Sequence, residues 1–400
     1  MTTEIIKAKH IEGETFQITS DINKNIQRIS DDEINDKYKR GEIRIVTEQA
    51  RYPLVSIEGL LDSGKYDRNP EYQRRKRWDT IKKSRLIESF IMNVPIPPIF
   101  LYEAEFGSYE VMDGLQRLTS IYDFYKNKFR LDGLQYWDEL NGRLYSELPN
   151  QVRAGIDRRY LSSIILLQET AKSKQEAEFL KQIVFERLNS GGELLTPQET
   201  RNALYNGKFN QLCIRLSKND LFRKMWKMPL EKQGEEILLQ NVSYRKMEDV
   251  ELVLRFFAYR HLEGLKEYTV EKFLDEFLKQ ANLYSDTTLK GLEKLFNDTV
   301  DLLYSVFKER AFLLPTKKLR YKSPSKTTYD PIMQAFAMNL VHGDKIIQRA
   351  NDIRELIYTD KDALSVEGNS EKHIFDGRYS DRRDVQARIN FYNKFLSQFI

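Results

Sequence analysis

Val111-Met112-Asp113-Gly114-Leu115-Gln116-Arg117-Leu118-Thr119 is the stretch whose reading decides the fold. Val111 and Met112 end a short apolar strand, Gly114 supplies a turn, and Leu115, Leu118, Tyr122 and Tyr125 recur at helical spacing. A strand that runs through glycine directly into a helix aims backbone N–H groups and the positive helix end at one point, which suits an anion. Arg117 offers such an anion a charged fork, and Gln116 an amide able to orient a water or a phosphate oxygen. Asp113 either ligates Mg²⁺ or caps the helix.

Upstream of this junction, Ile81, Leu86, Ile87, Phe90 and Ile91 make one helix face that ends before Pro95, and Pro97-Pro98 bars its continuation. Ile99 to Tyr102 reads as a strand, Glu105 to Ser108 as a turn, and Tyr109 to Met112 as the hairpin partner. Tyr160 to Leu167 reads as a further buried strand. Beyond Ser173 the pattern turns helical: Gln175 to Leu188, Pro197 to Tyr205, Val250 to His261, Val270 to Gln280, Leu289 to Glu309, Ile332 to Val341 and Asp381 to Phe399. Thr196-Pro197-Gln198-Glu199 carries the signature of a capping box with proline at the first helical position. The expected fold class is α+β: a polar arm over 1–50, helix-like from Asp31 to Lys39, a small mixed α/β domain over 51–215, and an α-helical domain over 216–400.

The chain has 400 residues, 40% hydrophobic and 31% charged, which excludes collagen-like and disordered classes. Its 64 Lys and Arg against 60 Asp and Glu leave a net charge of +4, too small to make the whole chain a polyanion binder. Any nucleic-acid surface is therefore local. Arg74-Arg75-Lys76-Arg77 forms one such stretch, and the acid-free run from Lys317 through Lys318, Arg320, Tyr321 and Lys322 to Lys326 another; each reads as a phosphate contact or as a solvated basic face. The lone Cys213 permits neither an internal disulfide nor a CxxC metal knuckle, and points to the cytoplasm. No apolar stretch approaches the roughly 18 residues of a membrane span. The four histidines, His10, His261, His342 and His373, form no cluster along the sequence, so none is assigned to chemistry.

Two further segments bear on the anion site. Asn69-Pro70-Glu71-Tyr72-Gln73-Arg74-Arg75-Lys76-Arg77-Trp78 is an extended basic loop feeding a helix near Asp79; Gln73 and Arg74 reach toward the same anion, or the arginines are solvated and Trp78 is core. Phe185 to Glu193 ends a helix in Asn189-Ser190-Gly191-Gly192, where the glycines either let backbone approach a ligand closely or simply stop the helix.

The run Asn69-Pro70…Gln73-Arg74…Trp78, then Pro95-Ile96-Pro97-Pro98, then Asp113-Gly114-Leu115-Gln116-Arg117-Leu118-Thr119, then Arg187 to Gly192, and Leu195-Thr196-Pro197-Gln198-Glu199-Thr200-Arg201-Asn202-Ala203 resembles the N-terminal domain of GmrSD-type restriction proteins over about half the chain. That family is similar to the ParB and sulfiredoxin superfamily, whose Gly-x-x-Arg turn holds nucleotide phosphates with Mg²⁺. The resemblance implies a nucleoside triphosphate of unspecified base at Gly114, Gln116, Arg117 and Thr119, with Gln73, Arg74, Asn189, Gly191 and Gly192 around it. It implies catalytic roles for Gln116 and Asp113 and a metal-binding role for Asp113. Leu115 stands where the family usually has a second Gln, a departure that bears on hydrolysis rather than binding. The function expected is a nucleotide-binding, hydrolysing protein of a prokaryotic anti-phage system that couples nucleotide state to DNA or a partner, with Arg75, Lys76, Arg77, Lys317, Lys318, Arg320 and Lys322 on the nucleic acid. A separate nuclease subunit and a homo-oligomer belong to that expectation, because the histidines of an HNH nuclease are missing. The alternative is a non-catalytic DNA-binding or scaffold module that keeps only the phosphate pocket.

Overall fold

The structure, a computed structural model, describes residues 9–18, 30–40, 45–67, 78–167, 173–189, 195–266, 268–313, 323–357, 365–366, 369–373, 375 and 382–400. Its contacts divide the chain into two compact units, 24–195 and the pairing of 1–23 with 196–400.

The first unit opens with α1 (Asp31–Arg40) and β1 (Thr47–Pro53), followed by α2 (Ile57–Asp62), β2 (Tyr66–Asp67) and α3 (Thr80–Ile91). Asp79 caps α3 by accepting from the Lys82 N–H at 2.7 Å. The hairpin of β3 (Ile99–Glu105) and β4 (Ser108–Asp113) turns at Phe106-Gly107, and β4 feeds α4 (Leu115–Tyr125) through Gly114. Next come α5 (Asn150–Asp157), β5 (Tyr160–Leu166) and α6 (Lys174–Asn189). The sheet runs β1-β5-β3-β4-β2: β3 lies parallel to β5, β2 parallel to β4, and the other neighbours are antiparallel. Alternation sends Ile99, Leu101, Val111, Leu161 and Ile165 into one core with Ile87, Phe90, Leu118, Ile121 and Phe124 of α3 and α4. Buried Glu88 of α3 accepts the N–H groups of Gln135, Tyr136 and Trp137 at 2.7–3.0 Å and so fixes the loop that follows α4.

The second unit is helical: α7 (Pro197–Leu204), α8 (Lys208–Leu216), α9 (Asp220–Trp226), α10 (Glu235–Gln240), α11 (Val242–Arg245), α12 (Glu248–Ala258), α13 (Val270–Ala281), α14 (Asp286–Phe307), α15 (Lys326–Met338), α16 (Gly343–Gln348), α17 (Ala350–Ile357) and α18 (Arg382–Leu396), with a small hairpin of β6 (Ser365–Val366) and β7 (Asn369–His373). Aromatic edges fill its centre, as where Phe209 meets Phe257 and Phe277, and Phe222 meets Phe296. The capping box at Thr196 and Glu199 forms as its sequence requires.

The division after Leu195 lies some way ahead of the sequence-based boundary at 215/216, and the reason is Arg201. Its guanidinium is fully buried and donates to Asp275 at 2.6 Å, to Gln198 at 3.3 Å and to the Glu271 carbonyl at 3.2 Å, with Glu251 at 3.4 Å. A helix whose arginine is satisfied by α12 and α13 belongs to their core.

The sequence-based arm is likewise divided, since residues 47–53 form the edge strand β1 while residues 9–17 lie on the helical unit. Gly13, at φ +80°, makes a turn there, and the Thr288 hydroxyl donates to the Glu12 carbonyl, the Tyr284 hydroxyl to the Thr15 carbonyl and Gln280 to the Gln17 carbonyl. Phe16 and Ile11 seat over Gly264 and Gly291, where an added Cβ would come within 2.5 Å and 2.9 Å of them. Buried Glu14 takes both arms of Arg260, at 2.6 and 2.8 Å.

Arg201→Ala strips Asp275 and Gln198 of a buried partner, and urea denaturation is expected to show a loss of roughly 2–4 kcal/mol. Burial alone would raise the Glu14 carboxyl, but His261, Arg260 and the Ile11 N–H outweigh it and hold the group down from 4.5 to about 2. A depressed acid stabilises the fold fully above its unfolded value and ceases to do so as pH falls through the folded one. Glu14 therefore contributes about 3 kcal/mol above pH ~4.5 that fades toward pH ~2. Urea titrations across that window are expected to show a shallower decline for Glu14→Gln than for the unsubstituted protein.

Candidate functional site

At the β4–α4 junction the helix cap is Gly114 itself, at φ +92°, rather than Asp113. A Cβ there would lie 2.4 Å from Ile99 Cγ2 and 3.0 Å from Arg117 Nη2, so the turn closes only around glycine. No side chain caps the helix, and its first-turn amides are left to whatever occupies the space beyond them.

Asp113, at the end of β4, instead accepts from Arg117 Nη2 at 2.7 Å, one helical turn on. The same Nη2 reaches the Pro98 carbonyl at 3.2 Å, which gives the Pro95 to Pro98 segment a second role besides stopping α3. Arg117 Nε is buried without a hydrogen-bond partner among the described residues. Gln116 Oε1 accepts the Trp78 N–H at 3.0 Å and so anchors the end of the basic loop. Trp78 packs against the core with the Lys82 ammonium 4.9 Å from its ring centre, which settles it as packing rather than an open stacking face. The Thr119 hydroxyl donates back to the Leu115 carbonyl at 2.9 Å.

The structure thus brings Asp113, Gly114, Gln116, Arg117 and Thr119 together with Pro98 and Trp78. Gln73, Arg74, Arg75, Lys76 and Arg77 lie outside the described residues, as do Gly191, Gly192, Lys317, Lys318, Arg320 and Lys322. Asn189 ends α6, and its side chain is not among those described. Lys326, at the end of the second basic run, starts α15 and is paired with Glu251 at 2.9 Å and Glu248 at 3.4 Å. That ammonium is therefore bound to acids of α12 rather than held out toward a polyanion. Glu110, the other acid of β4, pairs with Lys181 of α6. Cys213 is buried, and burial pushes its thiol pKa far up, which removes it as a nucleophile.

Two histidines that stand 251 positions apart in sequence meet in space. His10 and His261 lie with ring centres 4.3 Å apart and planes tilted by 32° beside Glu14, and among the described residues these three make a group able to hold a metal ion. Neither motif nor spacing signals it, because the contact is made only when residues 9–17 dock.

The sheet unit is thus a small mixed α/β fold with a glycine-turned helix end as its candidate anion site. Residues 57–206 match the family model of the GmrSD restriction endonuclease, N-terminal domain, so this stretch carries a domain of a restriction-related family. No curated protein and no solved structure matches the chain. Among the described residues, no helix is long and apolar enough to cross a membrane.

Gly114→Ala is expected to destabilise the protein by about 1–3 kcal/mol through strain at positive φ and collision with Ile99. Gly59→Ala on α2, where nothing lies within 4 Å of the new methyl, is the control; denaturation curves are expected to place it at or above the unsubstituted protein.

Proposed function

We propose that the β4–α4 junction binds a nucleoside triphosphate with Mg²⁺, and that the chain serves a restriction-type defence system by coupling that binding to DNA or a partner subunit. The observation that supports this reading is the pairing of an uncapped, glycine-turned helix end with Arg117, whose buried Nε lacks a partner among the described residues. A phosphate placed against the first turn of α4 meets backbone N–H groups, the positive helix end and the guanidinium at once. Gly114 keeps that approach open, since a Cβ there would crowd Arg117.

In this reading Arg117 turns its fork from Asp113 to phosphate, and Asp113, half-exposed, is left to hold the cation. Mg²⁺ suits one carboxylate plus phosphate oxygens, and when bound it would neutralise phosphate charge. Gln116 holds the Trp78 N–H beside the site.

A second reading, phosphate binding without turnover, is favoured by Leu115 and Gln116. Leu115 is buried in the core, and the Gln116 carbonyl oxygen is engaged by Trp78, so neither presents a free amide oxygen to orient an attacking water. Binding and hydrolysis are therefore measured separately.

Thermal-shift titration with ATP, GTP, CTP and UTP, each with and without Mg²⁺, is expected to show stabilisation by at least one triphosphate. Arg117→Ala removes two charge-assisted bonds of about 1.5 kcal/mol each and is expected to weaken that affinity roughly a hundredfold while leaving the fold intact. Unchanged affinity in folded Arg117→Ala protein, by calorimetry, overturns the assignment. Phosphate release in the same samples separates the two readings.

A further inference from the structure

Residues 9–17 and the turn after α12 bring together three side chains that the anion site does not use. The ligand atoms of His10, Glu14 and His261 lie within 4.8 Å of one another. A carboxylate offers about four lone-pair sites. Three of Glu14's are taken: Arg260 Nε donates to Oε1 at 2.6 Å, and Arg260 Nη2 and the Ile11 N–H donate to Oε2, each at 2.8 Å. The fourth, on Oε1, faces His261 Nε2, which lies 3.2 Å away, is buried, and makes no well-formed hydrogen bond among the described residues. His10 Nε2 lies 3.2 Å from the Arg260 carbonyl. Donation of its proton there leaves the other ring nitrogen as the lone pair, the arrangement by which a backbone carbonyl orients a metal-bound imidazole. His261 departs from helical geometry inside its own helical turn, at φ −108° and ψ 43°, where its ring meets that of His10 at a tilt.

We propose that His10, His261 and Glu14 form a binding site for a divalent transition metal ion of the Zn²⁺, Ni²⁺ or Co²⁺ class, which staples residues 9–17 to the helical unit. Two imidazoles and a carboxylate are a zinc donor set, and imidazole favours these ions over Mg²⁺ and Ca²⁺. Tetrahedral bonds of about 2.0–2.1 Å set ligand atoms roughly 3.4 Å apart, so exposed His10 moves in by at most about 1.5 Å. Its exposure leaves the fourth position to water. Arg260 and the Ile11 N–H hold the carboxylate from behind, as outer partners of a ligand do. The guanidinium's charge opposes a second cation, which makes the site one of moderate affinity that follows metal supply.

The test uses the full chain. Co²⁺ is expected to give the visible absorption of a tetrahedral centre, and Zn²⁺ to raise Tm and slow proteolytic cleavage within residues 9–17, while Mg²⁺ does neither. His10→Ala, at an exposed position, is expected to keep the metal-free Tm and to lose Zn²⁺ affinity by at least the roughly 10–100-fold that removal of an outer-shell partner costs. His261→Gln, at a buried position beside Glu14, is expected to lose Zn²⁺ affinity likewise, read as the Zn²⁺ shift relative to its own metal-free Tm. Absence of both the Co²⁺ band and the Zn²⁺ shift in the unsubstituted protein, or responses of the two variants equal to its own, overturns the proposal.

Discussion

A strand that turns into a helix within one residue, directly over an isoleucine, leaves no room for a side chain at the turn. Gly114 meets that constraint, and the arrangement of the sheet unit around the site follows from it. Because the turn is tight, α4 starts immediately beside the first residue of β3, and its apolar face reaches the core that Ile99, Leu101 and Val111 line. For the same reason Arg117 returns to the strand end, within reach of both Asp113 and the Pro98 carbonyl. The hairpin, the proline segment and the helix are thereby fixed to one another at one corner. The anion proposed for this corner would take Arg117 from Asp113 while the glycine turn stays in place.

The helical unit solves a different problem. Among its buried guanidiniums, those of Arg201, Arg223 and Arg255 are each matched to acids or carbonyls of neighbouring segments. A buried arginine left unpaired is costly, so each of these ties its helix to a particular neighbour and register. Arg255 on Asp330 joins α12 to α15, and Arg201 on Asp275 joins α7 to α13. Aromatic edges fill the remaining volume and specify less.

What the sequence revealed depended on how local the cause was. The helix start near Asp79, the capping box at Thr196, the hairpin turn at Gly107 and the glycine turn at Gly114 each act within four residues, and all were legible. β1 was not, because its Thr-Glu-Gln-Ala-Arg-Tyr-Pro sequence is mostly exposed and becomes a strand only by pairing with β5 at the sheet edge. Asp113 read equally well as the helix cap, until the tight turn passed that position to Gly114 and left the carboxylate to Arg117. Arg201 reads as a surface charge, since nothing near it in sequence announces Asp275 or Glu271. The docking of residues 9–17 was invisible for the same reason: its partners Arg260, Tyr284 and Thr288 lie some 250 or more positions away.

The limits of the matched family segment and the limits of packing do not coincide. The segment ends at residue 206, and α7 with its buried arginine lies inside it, yet the acids that pair with that arginine, Glu251 and Asp275, lie beyond it. The segment is therefore not a cassette. Transplanted between chains at its own borders, it would carry a helix whose guanidinium arrives without its acids, so the host would need to supply a helical scaffold that presents them at the same places. The segment's amino-terminal border is no cleaner, since it leaves out β1, the edge strand that pairs with β5; on the other side, whatever is joined inherits an obligation to complete α7.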